Sequence, residues 1–407
     1  MENLRIKDLV KTNVNSYTKN DKWEFINYLD TGNLTNNVIS EIVHLIPNKD
    51  TIPSRAKRKV KKGDILYSTV RPNQCHFGFI DNLENNMLVS TGFAVLEPIK
   101  DKVNGKYLYY YLTQKEIVNY LQSVAEGTVS TYPSIQPKDI EKININLPDL
   151  ATQTKIASIL SSYDDLIEKN NRRMEILRGC AEELYKEWFV RFRFPNWQNT
   201  KFINGIPQGW EYKPFGEVVA FERGISYSSQ EIDCDDGINL INLKNINAYG
   251  GFRFDGTKKY NGKYRNAQIV KCGDLIMGVT DMTQDRRTVG SVALIPHFEN
   301  VCVISADLIK LVCKIDNLFI YCLCRYGYYS KFFSQFSNGS NVLHLKPASL
   351  KNKKVLIPTD ELIGSFVKIV KPINEIINDL TKQNELLKQQ RDLLLPRLMS
   401  GKISLTP

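Results

Sequence analysis

The residues best suited to act on a partner are cations and amides rather than nucleophiles. From Arg55 to Lys62 the chain reads Arg-Ala-Lys-Arg-Lys-Val-Lys-Lys, so Arg55, Lys57, Arg58, Lys59, Lys61 and Lys62 gather positive charge with no acid between them. Such a run can neutralise several phosphates if its loop faces a nucleic-acid backbone, whereas on an ordinary surface it is only solvated. Its place beside Gly63 and Asp64, at the start of a β-like run, favours backbone contact. Two polar loops follow such runs, Arg71-Pro-Asn-Gln74 and Thr283-Gln-Asp-Arg-Arg287. Arg71, Asn73, Gln74, Thr283, Gln284, Arg286 and Arg287 are suited to base edges, since guanidinium groups pair with guanine and amides with adenine. Taken singly, each is equally well an ordinary turn residue. Gly127-Thr-Val-Ser-Thr-Tyr132 and Ser337-Asn-Gly-Ser-Asn341 form a second matched polar pair, whose composition turn chemistry also accounts for.

Catalytic patterns are absent. No Gly-x-x-x-x-Gly-Lys-Ser/Thr phosphate loop occurs, and the nearest imitation, Gly-Phe-Arg-Phe-Asp-Gly-Thr-Lys from Gly251 to Lys258, reads as a turn. No Asn/Asp-Pro-Pro-Tyr/Phe tetrapeptide is present to hold a flipped adenine. His44, His76, His297 and His344 are scattered outside any triad or metal spacing, so structural or surface roles are assigned to them. The 8 cysteines form no CxxC pair, which fits a reducing, cytoplasmic setting. A net charge of +10 favours an anionic partner. No stretch approaches the length of an apolar membrane span and the start lacks a signal-peptide pattern, so membrane insertion is not expected.

The elements that must position these side chains are duplicated. Val60-Lys-Lys-Gly-Asp-Ile-Leu66 recurs as Val270-Lys-Cys-Gly-Asp-Leu-Ile276, 210 residues on. At the same shift Leu108, Tyr109 and Tyr111 fall on Leu318, Phe319 and Tyr321, while Ile135, Pro137, Ile140, Leu147 and Pro148 fall on Leu345, Pro347, Leu350, Ile357 and Pro358.

Each half then carries a helix with heptad spacing. Ile156, Tyr163, Asn170, Leu177 and Leu184 form one seam, and Phe366, Ile373, Leu380, Leu387 and Leu394 form the other. A companion stripe runs Leu160, Ile167, Met174, Ala181, Trp188 in the first and Val370, Ile377, Asn384, Arg391, Leu398 in the second. The intervening residues are mostly charged, so each helix has one apolar face and needs a partner. A lone helix of this kind could lie on its own core, but two in matched register are more simply read as packing on each other, with Asn170 and Asn384 as buried polar residues that fix register. Pro372 is expected to break or kink the second helix near its start.

The remainder of each half mixes short β-like runs with a helical stretch, at 107–122 in the first. The predicted class is α+β: two similar mixed domains separated by two long antiparallel helices in a pseudo-twofold coiled coil. The divisions are 1–150 and 211–360 for the domains, 151–194 and 361–407 for the helical spacers, and 195–210 for a linker. A helix of about 23 residues would span about 35 Å, close to one turn of duplex DNA.

Four further motifs, in order, carry a family resemblance: Leu147-Pro-Asp-Leu-Ala-Thr-Gln153, Tyr185-Lys-Glu-Trp-Phe189, Gly205-Ile-Pro-Gln-Gly-Trp210 and Leu398-Met-Ser-Gly-Lys-Ile403. With the duplicated Gly-Asp signature and the heptad helices, the whole chain resembles the specificity (S) subunits of type I restriction-modification systems. The resemblance implies two target-recognition domains, each reading one part of a split site in double-stranded DNA. It also implies docking of two DNA adenine methyltransferase subunits and of restriction/translocase subunits. S-adenosylmethionine, ATP and Mg would then belong to those partners, with no cofactor, metal or catalytic residue in this chain. The second helix entry, Ile357-Pro-Thr-Asp-Glu-Leu-Ile363, departs from the pattern by lacking a counterpart of Gln153. The competing readings are a basic coiled-coil scaffold that binds protein or RNA, and a self-contained nuclease or methyltransferase, which the missing motifs disfavour.

Overall fold

The computed structural model describes residues 2–18, 20–127, 133–232 and 236–403. The chain forms two compact units, Met1–Ile167 with Leu386–Pro407, and Glu168–Glu385.

In the first unit the apolar run Ile65–Ser68 is buried along its whole length, as a central strand requires. It lies between Phe93–Pro98 and Phe77–Phe79, with Val10–Thr12 at the far edge, in an all-antiparallel sheet of four strands. A second sheet runs Val43–Leu45, Ile26–Leu29, Met87–Ser90, Ala56–Lys59, with one parallel pairing at its centre. Glu2–Arg5 pairs with Asn144–Leu147 to tie the start of the chain to the entry of the first long helix.

The second unit repeats this topology. Leu275–Gly278 takes the place of Ile65–Ser68 in a sheet ordered Val219–Arg223, Leu308–Cys313, Leu275–Gly278, Val292–Leu294. Lys258–Tyr260, Ile238–Ile241, Cys302–Ile304 and Ile269–Val270 form the other, and Glu211–Pro214 pairs with Lys354–Ile357.

The duplicated Gly-Asp signature is turn chemistry. Gly63 and Gly273 sit at φ +95° and +85°, where a Cβ would be strained, and Asp64 and Asp274 accept the backbone N–H of Lys61 and Lys271 at 2.7 and 2.9 Å. Each turn delivers the chain into the central strand of its sheet.

The repeat is not held at one shift. Leu96 pairs with Ile65 and Leu311 with Leu275, so the strands after the loop are offset by 215 (311 − 96), not 210. The helices that follow, Gly105–Leu112 and Asn317–Tyr326, are capped by Asn104 and Asp316, an offset of 212. Leu108, Tyr109 and Tyr111 therefore correspond to Ile320, Tyr321 and Leu323, correcting the sequence match to Leu318, Phe319 and Tyr321. Insertions in surface loops shift the register without altering the layers. The helical stretch read at 107–122 is two helices, Gly105–Leu112 and Lys115–Glu126. The 210 shift returns at Asn144–Leu147 against Lys354–Ile357.

The long helices are Leu150–Tyr185 and Asp360–Met399, of 36 and 40 residues, longer than the roughly 23 that would span one turn of duplex. The second runs unbroken through Pro372. That proline is exposed, so the carbonyl it leaves without a partner can be hydrated. Each helix gives one segment to each unit, where the two segments pack antiparallel. In the first unit Ile156 and Leu160 share a core with Leu398 and Met399; in the second, Ala181 and Tyr185 share one with Phe366 and Val370. Ile156, Asn170, Phe366 and Leu380 are buried, while Tyr163, Leu177, Leu184, Ile373, Leu387 and Leu394 are half-buried.

Gln153 is 1% exposed and braces the helix entry: Nε2 donates to the Pro148 carbonyl at 2.8 Å and Oε1 accepts from the Asn104 N–H at 2.8 Å. In the second half buried Ile363 packs into the core instead. Residues 195–210, read as a linker, carry the strand pair Phe202–Ile203 and Ile206–Pro207, and Trp210 packs on Phe189, Phe192 and Phe194.

Candidate nucleic-acid interface

Only the middle of the basic run is a strand: Lys57, Arg58 and Lys59 lie on it, while Arg55, Lys61 and Lys62 flank it. Ala56–Lys59 forms the edge of its sheet, and the pleat buries Ala56 while exposing Lys57. This divides the six cations. Lys59 is paired with Asp21 at 2.5 Å and lies over the Trp23 ring, and Lys61 is paired with Glu97 at 3.2 Å. Arg58 is half-buried, reaches the Thr91 carbonyl, and is held below its ordinary pKa by burial. Arg55, Lys57 and Lys62 are exposed, and among the described residues they make no ion pair.

Backbone hydrogen bonds connect this strand to the first polar loop. The Thr91 N–H donates to the Arg55 carbonyl at 2.9 Å, and the Thr69 N–H donates to the Gly92 carbonyl at 2.8 Å. Gly92 packs closely there, since a Cβ would come within 2.8 Å of the Thr31 methyl and one of the two would have to shift. The loop then closes on the segment after residue 132: the Ile135 N–H donates to the Thr69 carbonyl, the Arg71 N–H to the Pro133 carbonyl, and Val70 bridges Ser134. Arg71 has φ 46° and precedes the short helix Pro72–Gln74. The Asn73 N–H is held by Gln122 at 3.1 Å, leaving the Asn73 side chain exposed, and Gln74 meets His76 at 3.2 Å.

The second unit fastens its loop in the same way. The Leu345 N–H donates to the Val279 carbonyl at 2.8 Å, and Thr280–Asp281 pairs with Leu343–Leu345. Gln284 Nε2 donates to the Ser340 carbonyl at 2.7 Å, joining the 283–287 loop to the 337–341 segment, which the sequence pattern marks out separately. The counterpart, Gly127-Thr-Val-Ser-Thr-Tyr132, lies outside the described residues after Gly127. Asp281 anchors the loop by accepting from Thr283 and from the Thr288 and Val289 N–H groups. Burial alone would raise its pKa, but these donors hold the carboxyl down at about 2. Thr283 is thereby turned inward to Asp281, Arg287 pairs with Asp285 at 2.7 Å, and Arg286 stands exposed at φ 54°.

Sequence reasoning missed two side chains at this tip. Met282 is 73% exposed, and Tyr249 is 67% exposed with its N–H on the Arg287 carbonyl at 2.8 Å. The Tyr-Gly-Gly turn at 249–251 was the available signal for Tyr249. Among the described residues the second unit has no duplicate of the basic edge strand: Ile269–Val270 stands there, and the lysines of that sheet, Lys258 and Lys259, lie on the opposite edge strand.

Among the described residues no cluster of three or more His, Cys, Asp or Glu side chains could hold a metal, and no helix is long and apolar enough to cross a membrane. His44 and His76 are taken up by Asn27 and by the Leu34 carbonyl.

One scaffold built twice, with differing arginine- and amide-bearing tips and a cation-bearing sheet edge beside the first, defines a duplicated DNA-reading protein. The family model described as "Type I restriction modification DNA specificity domain" matches residues 1–178 and 207–394, and the chain belongs to that family. It is 27% identical over 434 residues to the HindI specificity subunit of Haemophilus influenzae, covering 92% of this chain and 94% of that one. It is 29% identical over 357 residues to the MjaIX specificity subunit of Methanocaldococcus jannaschii, covering 84% and 78%. A crystal structure of the type I S subunit from M. genitalium has the same fold, with a TM-score of 0.57 at 15% identity over 98% of this chain and 95% of that one. The chain is thus a specificity subunit whose role is DNA sequence recognition rather than catalysis. The alternative of a scaffold that binds protein or RNA finds no support.

Proposed function

We propose that the chain reads a split, asymmetric DNA sequence, one part with each unit, and so places two adenine methyltransferase subunits and the restriction/translocase subunits on the duplex. Those partners bring S-adenosylmethionine, ATP and Mg, and the assembly works in the cytoplasm. The recognition domains are 1–150 and 211–360, with 151–194 and 361–407 as helical spacers. Phosphates meet Arg55, Lys57 and Lys62, and base edges meet the tips at 71–74 and 282–287.

One observation carries this reading: the same backbone bonds fasten both loops, Ile135 to Thr69 and Leu345 to Val279, while the tips they present share almost no side chains. A duplicated frame with divergent tips is what reading two different sequences requires. The test is methylome mapping in cells that carry the chain with its methyltransferase partner. A two-part motif with an unread gap is expected; Asn73→Ala with Gln74→Ala should relax one part, and Arg286→Ala with Arg287→Ala the other. A single continuous palindrome, or loss spread evenly over both parts, would refute it.

A further inference from the structure

In the second unit Arg178 of the first long helix and Arg325 of Asn317–Tyr326 line one pocket with Asn374, Asn378 and Thr381 of the second long helix. The seat of Arg325 is built: Gly250 and Gly251 take φ +106° and +97°, and a Cβ on Gly251 would lie 2.7 Å from its Nη1. Only a glycine lets the guanidinium lie against that turn. Arg325 donates from Nη1 to the Tyr321 hydroxyl at 2.5 Å. Among the described residues, the side chains of Arg178, Asn374 and Asn378 make no hydrogen bond or ion pair. Burial holds the Arg178 pKa below its ordinary value, and the charge of Arg325 adds to that effect. Glu175, one turn away on the same helix, is exposed and forms no ion pair with Arg178.

The first unit shows what is missing. Asp164 stands 210 residues before Asn374 (374 − 164) at the same place in the duplicated helix. Its carboxylate pairs with Arg391 and accepts from the Tyr110 hydroxyl, so there the chain supplies its own anion. In the second unit Asn374 stands in place of that carboxylate, and Ala181 (391 − 210) and Cys322 (110 + 212) stand in place of Arg391 and Tyr110, so Arg178 and Arg325 are this unit's own cations and, among the described residues, neither is in an ion pair.

We propose that this pocket binds an oxyanion of the phosphate class, held by Arg178 and Arg325 with the amides of Asn374 and Asn378. Donors of fixed geometry around a partly dehydrated site favour a tetrahedral anion over chloride. The inference stands apart from base reading, and anion binding itself is tested without DNA. Thermal unfolding of the full chain in sodium phosphate, against sodium chloride at equal ionic strength, should show a saturable rise in Tm. The rise is about 3 °C at one hundred times Kd. Arg178→Met should unfold as cooperatively as the natural chain but lose the phosphate-specific rise. Asn374→Asp, which restores the carboxylate of the first unit, should raise Tm in chloride and remove the response to phosphate. The source of the anion follows from a short duplex added in chloride. An Arg178-dependent rise that free phosphate competes away assigns the site to a DNA backbone phosphate, and a response to free phosphate alone assigns it to a small phosphate ligand. An equal phosphate response in Arg178→Met and the natural chain, or an undiminished one in Asn374→Asp, overturns the proposal.

Discussion

Replacing the asparagine pair of the helix seam tests how much of its stability is register rather than burial. Asn170 and Asn384 are 6% and 4% exposed, and Asn170 Nδ2 donates to Asn384 Oδ1 at 2.8 Å. Asn170 Nδ2 also reaches Gln383 Oε1 at 3.1 Å, and Asn384 Nδ2 donates to Asn171 Oδ1 at 2.9 Å. Asn170→Leu leaves Asn384 Oδ1 buried without its donor, which costs about 1–3 kcal/mol. Asn384→Leu strands less, because Asn170 keeps Gln383 and the exposed Asn171 is rehydrated; about 1 kcal/mol is expected. Leucine and asparagine have equal numbers of side-chain heavy atoms, so the pair Asn170→Leu with Asn384→Leu leaves no stranded group and little steric change. The double variant should lie within about 1 kcal/mol of the natural chain, a coupling of at least about 1 kcal/mol. Urea unfolding of all four proteins at 25 °C, followed by circular dichroism, supplies the cycle. Additivity of the two losses to within about 0.5 kcal/mol would refute the argument.

Arg55→Ala, Lys57→Ala and Lys62→Ala together should weaken binding to every duplex and lower the slope of log K against log salt by up to about 0.9 for each phosphate no longer neutralised, whereas Lys59→Ala and Lys61→Ala should leave the slope nearly unchanged because those lysines are already paired. Titrating duplex binding against NaCl checks both. Burial, with Glu97 nearby, raises the Asp64 carboxyl to about 6. Because the folded value lies above the unfolded one, the ionised Asp64 costs stability, the loss setting in as pH rises from about 4 and complete above about 6. Asp64→Asn keeps an oxygen for the Lys61 N–H, so it should abolish that slope and not destabilise the fold at pH 7; denaturant midpoints measured from pH 4 to 8 decide it. Gln153→Leu should cost about 2 kcal/mol by stranding the Asn104 N–H and the Pro148 carbonyl, while Ile363→Gln at the equivalent place should also destabilise, by burying an amide with no bracket to fill. Chemical denaturation of each variant is the measure.

The sequence alone carried the duplication, the family and the two helical seams, because these rest on periodic apolar burial and on a Gly-Asp turn that needs one backbone conformation. Leu160, Met174 and Val370 are buried where the heptads put them, and Pro148 and Pro358 keep the 210 shift through the helix entries. Tertiary structure decided what depends on neighbours distant in the chain. Lys59 and Lys61 look like Lys57 in sequence, but Asp21 and Glu97, brought alongside by strand pairing, form ion pairs with them. Thr283 reads as a polar tip residue until Asp281 turns its hydroxyl inward. Gln284 and Ser340 lie far apart in the chain and meet only because Thr280–Asp281 pairs with Leu343–Leu345. Local pattern fixes which face of an element is apolar. The charge left for a partner is set by long-range pairing, whose register no local pattern specifies.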